Sequence, residues 1–218
     1  MTIDKPTIIN MTLADIGVGP VFSVDDGSEL SENVALVWQR TVDQIFGLHD
    51  WSFALKTFKN RVRSEEPENG WRYAFDLPGV RIGNPLKNME QAGASPRPLR
   101  QFTIEEGLLY ANCRETWSLC KFLVSPDIWP PDFRSAFVVA FGGYLAVPIW
   151  QDENLRADRL QEAFGSPSQQ GGGGLFGRLM AQDKTSRPVG EPMEGDSPLI
   201  NVRPQGAGDG GDAWYGRW

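Results

Sequence analysis

The spacing of apolar residues changes period twice along this chain, and that change constrains the fold more than any motif. Up to Leu48 the apolar positions recur three and four apart. From Trp51 to Val124 they largely alternate, and after Trp129-Pro130-Pro131 helical spacing returns. A helix repeats every 3.6 residues and a strand every two, so neither pattern can serve the other element. The expectation is an α+β fold. N- and C-terminal helices form a bundle that carries a central antiparallel or mixed β-rich insertion, and an extended C-terminal arm follows. The expected divisions are 1–50 for the first helices, 51–128 for the insertion, 129–183 for the last helices and 184–218 for the arm.

Within that frame, Ile9, Leu13 and Ile16 predict a short helix over 7–16 that stops at Gly17. Val34, Val37, Trp38, Ile45 and Leu48 predict a stronger one over 31–48, capped by Ser28 or Ser31 and ended near Gly47. Trp51, Phe53 and Leu55 read as the start of a strand, and Trp71, Tyr73 and Phe75 as another. Residues 80–82 read as a short strand and 84–98 as a loop with one helical turn. Phe102 and Ile104 lead through the turn Glu105-Glu106-Gly107 to strands over 108–111 and 116–124. Five or six strands are expected in all. Phe133, Phe137, Val138, Phe141, Tyr144 and Leu145 predict a broad-faced helix that Pro148 bends or breaks. Further helical patterns cover 152–164 and 175–183.

The residue chemistry offers little for catalysis. A net charge of −7 disfavours a nucleic-acid binder, because phosphates call for a basic stripe. Cys113 and Cys120 do not make a disulfide scaffold and read as free thiols. The single histidine, His49, follows a helix end beside Asp50 and reads as a helix-end polar contact, since a triad needs partners from far along the chain. Gly171 to Gly174 lacks the Lys-Ser/Thr of a phosphate loop and reads as a linker. Glu65-Glu66 and Glu105-Glu106 are paired carboxylates, but each pair falls in a predicted turn, where acids are ordinary solvated surface. Catalytic residues, cofactors and metal ligands are therefore all expected to be none. Trp38, Trp71, Trp117 and Trp150 are expected to be buried. No stretch reads as the roughly 18 apolar residues of a membrane span, and no secretory signal is evident, so assembly in a cytoplasm is expected.

The order of elements carries a resemblance. A short helix ends in Ile16-Gly17, a turn Gly19-Pro20-Val21 follows, and a long amphipathic helix leads into Asp50-Trp51-Ser52-Phe53. Next come short strands with a Leu77-Pro78 turn, the segment Glu106-Gly107-Leu108-Leu109-Tyr110, and Trp129-Pro130-Pro131-Asp132-Phe133 entering a helix pair. This resembles the tail tubular protein A family, the head-to-tail adaptors of short-tailed phages, over the first 55 residues and over 102–164. The sequence departs from that pattern at 166–174, which interrupts the last helix, and in the length of the segment after Lys184.

The resemblance implies a structural virion protein of the neck and no enzyme. Some twelve copies would form a ring below the portal protein, and the ring would receive the tail tube or nozzle. DNA would pass through the lumen without specific binding, and no membrane is involved. The glycine-rich end reads as a flexible arm that orders on assembly, with Trp214, Tyr215 and Trp218 as its interface anchors. Rival readings are another neck component, such as a head-completion or tail-terminator protein, and a tail-associated protein that binds or hydrolyses glycans.

Overall fold

Asp4 opens the first helix by accepting a hydrogen bond from the Thr7 backbone N–H at 3.0 Å. A bond from the Thr7 hydroxyl, together with this backbone one, holds the Asp4 carboxyl below its ordinary value. Helix α1 spans Lys5–Asp15, with Pro6 in its first turn, where a missing N–H costs nothing. Helix α2 spans Glu29–Leu48 and runs through Gly47. The computed structural model describes residues 3–19, 29–93, 96–169 and 171–186. The chain divides into two units, Met1–Ser186 and Arg187–Trp218. The expected anchors Trp214, Tyr215 and Trp218 lie outside the described residues, as does Ser28.

The stretch from Trp51 is not yet strand. Ser52–Ala54 forms a 3-10 turn, and β1 begins at Leu55 and runs to Lys59. Trp51 is buried with its indole N–H on the Ile45 carbonyl at 3.0 Å, so it closes the end of α2. Alternation of two aromatics could not separate a strand from a turn that aims both rings into a helical core.

The other strands are β2 (Arg61–Val62), β3 (Tyr73–Asp76), β4 (Lys87–Gln91), β5 (Arg97–Pro98), β6 (Phe102–Glu105), β7 (Leu108–Ala111) and β8 (Trp117–Lys121). Eight strands among the described residues exceed the expected five or six. The excess comes from β2, where a charged turn was expected, and from β4 and β5, in a segment read as loop, while 80–82 contributes only an isolated bridge from Arg81 to Phe122. All pairings are antiparallel, in two four-stranded sheets ordered β1-β8-β4-β5 and β2-β3-β7-β6. The β6–β7 hairpin turns on Glu106 and Gly107, both at positive φ (49° and 79°), as a type I′ turn requires.

Helix α3 spans Pro131–Trp150, α4 Glu153–Phe164 and α5 Gly174–Thr185. Pro148 does not break α3. It sits in the last turn, where a ring costs little helix beyond it. Helix α5 also extends past Lys184, where the arm was expected to begin. Close approach fixes the bundle at two glycines. A Cβ on Gly142 would meet Ile16 Cγ2 at 3.2 Å, and one on Gly143 would meet Arg159 Cβ and Leu160 Cδ2 at 3.1 Å.

The fold is α+β, as expected. Helices α1 to α5, the turn at Ala54 and Trp129 close on one core, in which Phe46, Phe133, Phe137, Phe141 and Phe176 are fully buried. A much smaller core, Phe75, Leu77, Leu99, Leu109 and Ala111, belongs to the strands. Of the described helices, α3 is long and apolar enough to cross a membrane by length and composition, contrary to the expectation from sequence. Half of that span is buried inside the protein.

Candidate functional site

The paired glutamates come together. Glu65, Glu66 and Glu68 lie between β2 and β3, and Glu105 and Glu106 turn the β6–β7 hairpin. The antiparallel register sets the two loops at opposite ends of their sheet, but the segment after β2 folds back across it, so both line one concavity of about 640 Å³ with Ala74, Leu108 and Tyr110. All five glutamates are exposed. Asn69 donates to Glu105 at 3.2 Å, and Arg63 is drawn away to Asp76 at 2.7 Å, the pairing that pushes its guanidinium pKa up. Carboxylates standing in water make a negative surface. Among the described residues no group of three or more His, Cys, Asp and Glu could hold a metal ion.

A second constellation joins distant parts of the chain. His49 Nε2 lies 2.9 Å from Asp183 Oδ2, and the Ser52 backbone N–H and hydroxyl both donate to Asp183 Oδ1. Serine, histidine and aspartate are all present, but the carboxylate stands between the other two. A nucleophile needs the imidazole beside it, so this order activates nothing. The arrangement instead fastens the end of α5 to the end of α2. Beside it Lys121, on β8, donates to the carbonyls of Phe46 (3.0 Å) and His49 (3.2 Å) and pairs with Asp50 at 2.8 Å. A lysine on the last carbonyls of a helix complements its dipole and ties the sheet to the bundle.

Cys113 is half-buried and Cys120 buried, and both are free. Burial pushes both thiols up, with Glu90 adding to the rise at Cys113. High thiol pKa values suppress the thiolate and therefore the reactivity of both.

What the surface does offer is apolar. A groove of about 260 Å³ runs between the start of α1, the flank of α2 and the chain leading into α3. Trp38 and Trp129 stack at 6.1 Å in its floor, and the rim is formed by the exposed Leu123 and Ser125. Lys5 places its ammonium 5.5 Å from the Trp38 ring centroid. Leu36 is 72% exposed on α2, Ile128 58% and Trp150 52%. Trp150 corrects the expectation of burial. Its N–H donates to the Ile16 carbonyl at 3.0 Å, and the rest of the ring faces out. Trp38 is buried as expected, and Trp71 and Trp117 are half-buried.

Charge is divided as unevenly as apolar surface. Residues 1–50 carry two basic against eight acidic side chains, and residues 51–128 carry eleven basic against nine acidic. The negative balance of the chain therefore lies outside the strands. Sequence reasoning missed both the groove and this division. Trp38 has the spacing of any core residue, and the charge split could have been counted from sequence alone. No family model matches the chain, and no curated protein matches it.

Proposed function

We propose that this chain is a structural head-to-tail adaptor of a phage virion. Copies form a ring that joins the portal to the tail tube or nozzle and leaves a channel for DNA. The observation that carries the reading is the way the insertion is mounted. Strands β1 and β8 pair side by side, with Leu55 opposite Lys121, and the Phe122 backbone N–H donates to the Ala54 carbonyl at 2.9 Å. The β-rich segment therefore leaves and re-enters the bundle at one place, between α2 and α3. This is the element order in which the chain resembles the adaptor family.

An acidic helical body suits the same task. A wall with few cations does not hold the phosphates that slide past it. The arm over 184–218, anchored by Trp214, Tyr215 and Trp218, supplies the contacts to the portal in this reading. Electron microscopy of the purified protein mixed with portal tests it. Rings of about twelve copies seated on portals are expected, and purified protein that leaves portals bare at high excess removes the proposal. Deleting residues 213–218 is expected to leave a folded body that no longer binds portal.

A further inference from the structure

Two features on opposite sides of α2 fit one another. Leu36 stands alone in solvent, while Trp38, two residues on, faces inward and floors the groove. At about 100° per residue the two point roughly 200° apart around the helix. One side of α2 thus presents an apolar knob and the flank of the other side an apolar hole. A knob and a hole that cannot meet within one molecule can meet between two.

We propose that a second copy of this chain seats the outer face of its α2 in this groove, with Leu36 inserted beside Trp38 and Trp129. Size permits it. A cavity of roughly 150 Å³ holds the six carbons of benzene, and the four carbons of a leucine side chain need less than the 260 Å³ present here. Charge favours it. Leu36 is flanked on the exposed face by Glu32 and Asp43, one turn before and two turns after, while the groove carries Lys5. Lys5 and Arg40 are the only lysine and arginine in the first fifty residues. Arg40, one turn after Leu36, lies over the Tyr144 ring at 5.3 Å, which leaves Lys5 as the cation at the groove. Acidic residues around the knob therefore meet the cation beside the hole.

The contact is heterologous, because each copy offers the knob on one side and the hole on another. Such contacts propagate into a ring or a filament and do not close as a two-fold dimer. The inference deepens the adaptor reading, on which it rests for the ring, but the contact is measured without portal. The full chain carrying Gln39→Cys, exposed beside Leu36 on α2, is mixed with the full chain carrying Ser125→Cys and treated with a short bis-maleimide linker. Wild type, with its native Cys113 and Cys120, is treated in parallel.

A dimer band specific to the mixture is expected, together with a ladder of higher species from the Gln39→Cys/Ser125→Cys double variant. The Leu36→Asp variant, which lacks the knob, should self-associate about tenfold or more weakly than wild type. Val80→Asp, equally exposed in the β3–β4 connection, should leave self-association unchanged. No mixture-specific dimer at any concentration overturns the proposal. So does a thiol in the Ser125→Cys variant that resists labelling equally at all concentrations, since the groove is then filled from within its own chain. Rings on portals formed by the Leu36→Asp variant as readily as by wild type would sink this contact and leave the adaptor reading standing. Cross-linking without any portal binding would do the reverse.

Discussion

The helical body and the β-rich insertion solve the same packing problem with unequal means. In the body five helices surround a single aromatic cluster, where Trp51, Trp129, Phe53 and Phe176 all approach Phe133 within 5.9 Å between ring centroids. Among the described residues the insertion has eight strands, yet its own core of buried residues holds only Phe75, Leu77, Leu99, Leu109 and Ala111. Part of its interior is instead polar. Asn60 donates to Thr116 at 3.1 Å and to Ser118 at 2.7 Å, and Ser118 donates to Asn88 at 2.7 Å. A large apolar core gives stability in bulk, whereas a small core with a buried polar chain depends on every bond being made. The body is thus expected to be the stable partner and the insertion the one that opens first.

The sharpest probe is Phe133→Ala. Removing the ring at the centre of the aromatic cluster should cost about 3–5 kcal/mol and lower the melting temperature of the whole protein. A loss below about 1 kcal/mol, measured by denaturant unfolding, would mean that the cluster is not the keystone drawn here. Leu109→Ala should cost about 2–3 kcal/mol, and amide exchange should accelerate in β3, β6 and β7 before it does in α3. Equal acceleration in both regions would show that the two unfold as one.

Lys121→Met tests the joint between them. The ammonium is buried and serves two carbonyls, so losing it should cost about 2 kcal/mol. The last turn of α2 should gain exchange as a result. The smallest effect expected is a gain. Glu106 is held at φ 49°, a region where asparagine fits better than glutamate. Glu106→Asn, which produces an Asn-Gly turn, should stabilise the hairpin by about 0.5–1 kcal/mol. An unchanged or lower midpoint would show that Glu106 makes a compensating contact in the acidic concavity.

The body was also the more legible half. Val34, Trp38 and Ile45 on α2, and Phe133, Phe137 and Phe141 on α3, announced their helices through spacing alone, because long periodic segments average out local accidents. The β6–β7 hairpin was equally plain, since Glu106-Gly107 sits between two alternating runs. Strand β4, Lys-Asn-Met-Glu-Gln, was invisible. Met89 is its one apolar residue, and the strand exists because Lys87, Asn88 and Met89 pair with Leu119, Ser118 and Trp117 far along the chain. The acidic concavity was hidden for the same reason. Its two glutamate pairs lie far apart in the chain and meet because the segment between β2 and β3 folds back to reach Glu105 through Asn69, which no local pattern reports. His49 showed itself as a helix-end residue, but its partner Asp183 is 134 positions away.

Helix α3 has one more consequence, which concerns synthesis. It is apolar enough to be mistaken for a membrane segment as it leaves the ribosome, and it is made after the residues that will cover much of it. Ile8, Ile9 and Leu13 of α1 and Val34, Trp38 and Ile45 of α2 precede it in the nascent chain. Translation order therefore provides a waiting surface for the most apolar of the described helices, and α4 and α5 need only seal the remaining side. A circular permutation that began the chain at β1 and placed α1 and α2 last would keep every contact, yet expose α3 during its own synthesis.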